Sequence, residues 1–148
     1  MKSILLLFLC VSCINYYKEP INTVKKDKTK QNFYNVEYIS NYDGDTIKFK
    51  IFSLKESNGD ISITRTVRVN GIDTDELKNK DEKRKNKAIK AKSFTEKTLL
   101  NAKTINLYNC TSEKYGRLLC DVEVDNNNLS NIILNKRLAR EYHGGKRE

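Results

Sequence analysis

The chain has 148 residues, with 28 Lys and Arg against 19 Asp and Glu, a formal net charge of +9 at pH 7. That length leaves room for one domain, with enough chain to bury a real core. A mean hydropathy of -0.68 fits a polar, soluble domain with short apolar segments, and the lysine excess favours polyanions: nucleic acid, or an anionic membrane face.

Met1-Lys2-Ser3 is a short basic start, and Ile4 to Val11 is an unbroken apolar run. It falls well below the ~20 apolar residues of a spanning helix and reads as the hydrophobic region of a signal peptide. It runs into Cys10-Val11-Ser12-Cys13, which resembles the lipobox of bacterial lipoproteins, with Cys10 where leucine is usual. That resemblance implies export, with Cys13 acylated as the first residue of the mature protein and the membrane as a partner. An ordinary cleaved signal would instead give a secreted or periplasmic soluble protein. Residues 14–31 hold the only proline, Pro20, and a Lys-rich run without apolar periodicity, the pattern of a flexible tether. The folded domain is expected over 32–148.

From there the pattern alternates. Tyr34, Val36 and Tyr38 predict a first strand, then Asp43-Gly44 a turn, and Ile47, Phe49 and Ile51 a second, half-buried strand. A polar loop around Asn58-Gly59 leads to a third, with Ile61, Ile63, Val67 and Val69 on one side and Arg68 on the other. Residues 82–102 lack Pro and Gly, and Ala88, Ala91, Thr95, Leu99 and Ala102 recur at helical spacing. Ile105 and Leu107 mark a fourth strand; Leu118, Cys120, Val122 and Val124 mark a fifth, with Arg117 opposite the apolar row. Residues 129–138 read as a second, shorter helix.

Five short strands with a helix between the third and fourth match a mainly β fold with helices, a five-stranded OB-fold barrel in the order β-β-β-α-β-β-α. In an oxidising compartment Cys110 and Cys120 are candidates to pair. Alternation places Asn109 inward and turns Cys110 away from the row of Cys120, so a bond requires a bulge.

Three blocks carry chemistry. In Asp43-Gly44-Asp45-Thr46 a turn accounts for Asp43 and Gly44 but does not require Asp45, an oxygen ligand suited to a hard cation. Asp73, Asp75 and Glu76 place three carboxylates within four residues. Helix capping is the ordinary explanation, yet the helix starts later, near Asp81, so a cation that offsets their repulsion is the more economical one. Arg68 and Arg117 each leave a strand opposite its apolar row; either is a common surface arginine or a guanidinium clamp for phosphate.

Together, Asp43 to Thr46, Arg68 to Glu76 and Lys114-Tyr115-Gly116-Arg117, in that order around a long helix, resemble the thermonuclease family, the staphylococcal-nuclease-like domains. The resemblance spans residues 36–142. It implies a calcium ion (Ca2+) held by Asp45, Asp73 and the backbone carbonyl of Thr74, with Asp43 in support. It further implies Glu76 as the group that orients or deprotonates water, Arg68 and Arg117 on the scissile phosphate, and Lys114 and Tyr115 lining the substrate groove. The implied activity is endonucleolytic cleavage of DNA and RNA that leaves 3′-phosphates, by a chain expected to act as a monomer. The alternative is a non-catalytic nucleic-acid-binding OB-fold lipoprotein. Asp75 stands where the family usually has proline, which adds a charge beside the expected metal.

Overall fold

The computed structural model describes residues 30–52 and 62–145. The expected signal segment with Cys13, the tether up to residue 29 and the loop at 53–61 lie outside the described residues. In chain order the elements are strands β1 (Gln31–Phe33), β2 (Glu37–Asn41), β3 (Thr46–Phe52), β4 (Ser62–Val69) and β5 (Gly71–Thr74), then helix α1 (Glu82–Leu100). Strand β6 (Ile105–Ser112), a 3-10 turn (Lys114–Gly116), β7 (Leu118–Val124), β8 (Asn127–Asn128), helix α2 (Leu129–Asn135) and β9 (Ala139–Tyr142) follow. No helix among the described residues is long and apolar enough to cross a membrane.

Alternation works as expected where the sheet is covered on one face. Ile47, Phe49 and Ile51 of β3 are fully buried, as are Val67 and Val69 of β4 and Cys120 and Val122 of β7. Ile63 is 38% exposed although it lies opposite the buried Ile51, because β7 pairs with β4 only at Val67–Val69 and leaves the outer half of β4 as an edge. Helix α1 buries Ala88, Ala91, Thr95 and Leu99, the stripe its spacing predicts. Asp81 caps it, accepting from the amides of Lys83 and Arg84.

The main sheet runs β1-β6-β7-β4-β3-β2, with β8 added to β7, while β5 and β9 form a separate antiparallel ribbon. All main-sheet neighbours are antiparallel except β4 and β7. The expected closed barrel is therefore corrected to an open mixed sheet packed with helices. The reason lies at residues 31–36, where one expected strand is two short ones. Asn35 takes φ +52 between them, so β1 pairs with the edge of β6 while β2 turns away to pair with β3. A single backbone bond, Val36 N to Ile105 O at 3.0 Å, links the start of the β2 segment to β6. Tyr34, expected inside, is 58% exposed at this kink.

A second departure settles the cysteines. Tyr108 pairs with Asp121 and Thr111 with Leu119, so Asn109 and Cys110 together oppose Cys120. Asn109 adopts φ +52, a left-handed conformation that asparagine tolerates better than most residues, and forms a bulge. The bulge turns Asn109 outward and Cys110 inward. Cys110 and Cys120 are disulfide-bonded, with Cα atoms 4.2 Å apart.

Candidate active site

The turn between β2 and β3 is fastened before it supplies any chemistry. The Asn41 side chain donates to the carbonyls of Asp43 (2.8 Å) and Lys92 (3.0 Å), and Thr95 Oγ1 donates to the Gly44 carbonyl at 2.9 Å. The Asp45 amide donates to Asp43 Oδ1 at 3.1 Å, a local Asx turn. Gly44 packs against α1 so closely that a Cβ there would lie 2.8 Å from Ala91 Cβ and 2.7 Å from Thr74 Cγ2. Absence of a side chain thus brings helix, turn and β5 together.

That packing buries Asp45, which is 1% exposed. Its Oδ1 accepts from Arg68 Nη1 and Thr46 Oγ1, both at 3.1 Å, and its Oδ2 from the Thr74 amide at 2.8 Å. Asp73, equally buried, accepts from Arg68 Nη2 at 3.0 Å through Oδ1 and from Arg140 Nη2 at 2.6 Å through Oδ2. One guanidinium fork therefore bridges two buried carboxylates, and a second braces one of them. The Tyr142 ring lies 5.8 Å from the Arg68 guanidinium carbon, within cation–π range. Burial, and secondarily the charge of Asp43, pushes the Asp45 carboxyl up to about 6 despite Arg68 and the Thr74 amide.

Thr74 Oγ1 is buried with no hydrogen-bond partner among the described residues. Thr74 follows the buried Asp73, and its amide binds the buried Asp45; carboxylate, carbonyl and hydroxyl oxygens are the ligand types that a hard cation takes. No group of three or more His, Cys, Asp or Glu that could hold a metal occurs among the described residues; two carboxylates and threonine oxygens are what the chain offers.

Of the residues singled out from the sequence, Asp43, Asp45, Arg68, Asp73 and Thr74 come together in this hydrogen-bonded cluster. Glu76 is solvent-exposed beyond β5, its carbonyl accepting from the Asn79 amide at 3.0 Å. Arg117 sits at the foot of β7, paired with Glu113 at 3.0 Å. Its neighbour Leu118 pairs in parallel with Val67, so Arg117 leaves the sheet on the same side as Arg68. Its Nε is buried without a hydrogen-bond partner among the described residues. Lys114 is exposed, and Tyr115 is 92% exposed at φ +63 in the tight turn between β6 and β7.

Two members of the cluster, Arg140 and Tyr142, were not singled out as partners of the acids. Their signal was the alternation in Ala139-Arg140-Glu141-Tyr142 after the second helix, which forms β9 and places Arg140 directly opposite Asp73. Asp75, expected beside the metal, is held by Arg84 at 2.9 Å and fastens the end of β5 to the first turn of α1.

A family model described as Staphylococcal nuclease homologue matches residues 66–148. The chain belongs to the staphylococcal nuclease family. No curated protein matches it. The family match begins inside β4 and includes Arg68, Asp73, Thr74, Glu76, Lys114, Tyr115 and Arg117. Asp43 and Asp45 precede the matched region; Arg68 and the Thr74 amide join Asp45 to it.

Proposed function

We propose that this staphylococcal nuclease homologue is a calcium-dependent endonuclease that hydrolyses phosphodiester bonds of DNA and RNA and leaves 3′-phosphates. The observation that carries the reading is the cluster in which Arg68 bridges Asp45 and Asp73 beside the unpartnered Thr74 hydroxyl, in a chain of this family. Asp45, Asp73 and the carbonyl of Thr74 would hold the ion, with Asp43 in support. When bound, the ion supplies positive charge beside the phosphate and favours a deprotonated water.

The remaining work belongs to the chain. Glu76, exposed to solvent, accepts the proton from the attacking water at its carboxylate. Arg68 and Arg117, on one side of the sheet, hold the non-bridging oxygens and stabilise the charge that grows in the transition state. A phosphate entering the site competes with Asp45, Asp73 and Glu113 for these guanidinium groups. Lys114 and Tyr115 meet the flanking nucleotides from the turn between β6 and β7. Residues 1–13 are proposed to direct export and residues 14–31 to tether residues 32–148 to a lipid anchor at Cys13; the enzyme acts as a monomer.

The test is digestion of plasmid DNA and RNA by the full chain with calcium, with magnesium or with EDTA. Calcium-dependent cleavage abolished by EDTA and by Glu76→Gln is expected; nucleic-acid binding with no cleavage under any condition would replace this reading with a binding module.

A further inference from the structure

A second basic feature adjoins the acidic cluster. An open groove of about 1110 Å³ runs between the first half of α1 and the segment from α2 into β9. Six cations line it: Lys83, Arg84, Lys87 and Lys90 from α1, Arg137 and Arg140 from the other wall. The only acidic side chain in its lining is Asp75, whose charge is met by Arg84 at 2.9 Å. Arg140 is likewise engaged with Asp73. Lys83, Lys87, Lys90 and Arg137 form no ion pair among the described residues. Four unneutralised cations facing one concavity repel one another and gain from a shared polyanion.

We propose that this groove is a second nucleic-acid site, which holds the phosphate backbone of the strand beyond the cleaved bond. This rests on the nuclease reading for its role but not for the binding itself. The geometry fits a strand. Lys83, Lys87 and Lys90 follow the i, i+4, i+7 spacing of one helix face and extend over about 10 Å, enough to follow a short run of consecutive phosphates along one strand. The groove is contiguous with the cluster, because Arg140 lines it on one side and binds Asp73 on the other. Its contacts are ammonium and guanidinium groups without an aromatic side chain in the lining, so it grips backbone and not bases. Concavity favours a strand over a bilayer, which a flat or convex face would meet better.

The experiment measures binding of a long single-stranded oligonucleotide by fluorescence anisotropy in EDTA, where no cleavage occurs, over a series of salt concentrations. The triple variant Lys83→Ala, Lys87→Ala, Lys90→Ala is expected to bind about 10-fold or more weakly, with the slope of log K against log salt reduced by about two. The triple Lys-to-Arg variant retains binding. Removing exposed lysines elsewhere, Lys30, Lys97 and Lys103, leaves the slope nearly unchanged. Equal losses in both alanine triples would overturn the proposal, as would unchanged oligonucleotide binding with loss of binding only to vesicles of anionic lipid. Because binding is read without cleavage, a chain that binds here but never cuts would sink the nuclease reading and leave this site standing.

Discussion

Asp73 and Arg140 stand directly opposite each other across the β5–β9 ribbon, with Arg140 Nη2 2.6 Å from Asp73 Oδ2. The carboxylate is fully buried while the arginine side chain is 46% exposed. Removing the arginine therefore leaves a buried acceptor short of a charged donor, the costly direction of the asymmetry. Arg140→Ala is expected to lower stability by about 1–3 kcal/mol in urea denaturation. Arg140→Lys should recover part of that, since one point charge replaces a two-nitrogen contact. A stability unchanged in both variants would show that Arg68 alone suffices for Asp73.

Gly44→Ala tests whether the acidic turn depends on contact with α1. The new methyl would meet Ala91 Cβ at 2.8 Å and Thr74 Cγ2 at 2.7 Å. The threonine can rotate; the alanine moves only with its helix. Overpacking of this kind costs about 1–3 kcal/mol, and the shift falls on Asp45 and the Thr74 amide that binds it. If Asp45 and Thr74 hold calcium as proposed, calcium affinity measured by titration calorimetry weakens together with thermal stability. Loss of stability with intact calcium binding would separate the turn from the ion site.

Asp45 gives the metal-free protein a pH signature. Its carboxyl is raised from 3.8 to about 6, first by burial and then by Asp43. The folded state therefore binds this proton more tightly than the unfolded state. The stabilisation is complete below the unfolded value near 4 and is lost as pH rises through about 6, with an upper bound of about 3 kcal/mol. In EDTA, thermal denaturation from pH 4 to 7 should show wild type losing stability relative to Asp45→Asn across that window. Parallel curves would mean that Arg68 holds Asp45 ionised throughout.

Much of this was legible in the chain because it depends on local periodicity. Ile47, Phe49 and Ile51 alternate against polar neighbours, and α1 carries its buried stripe and its Asp81 cap in plain spacing. The blocks around Asp45, Arg68 and Asp73 were also visible, and the fold joins them. What spacing could not give is closure and register. Two asparagines at positive φ, Asn35 and Asn109, redirect the chain at single residues: one keeps the sheet open, the other reverses the side on which Cys110 lies. Arg140 was hidden for a related reason, since its partner Asp73 is 67 residues away and only the β5–β9 pairing brings them together.

The Cys110–Cys120 bond closes the hairpin that presents Lys114, Tyr115 and Arg117. Inside that loop the Glu113 amide donates to the Arg117 carbonyl at 2.8 Å, and Tyr115 and Gly116 both adopt positive φ. Such a turn is held by few internal contacts, and the disulfide at its base limits how far its arms can part. Cys110→Ser with Cys120→Ser, or reduction of the wild type, should lower stability by about 2–4 kcal/mol. If the bond also positions Arg117, turnover falls further than unfolding accounts for at temperatures where the variant remains folded, and Arg117→Ala adds little to the double variant. Cleavage rates should therefore be compared with and without reductant below the melting transition. Full turnover in the reduced, folded protein would restrict the disulfide to stability and leave the placement of Arg117 to its Glu113 contact.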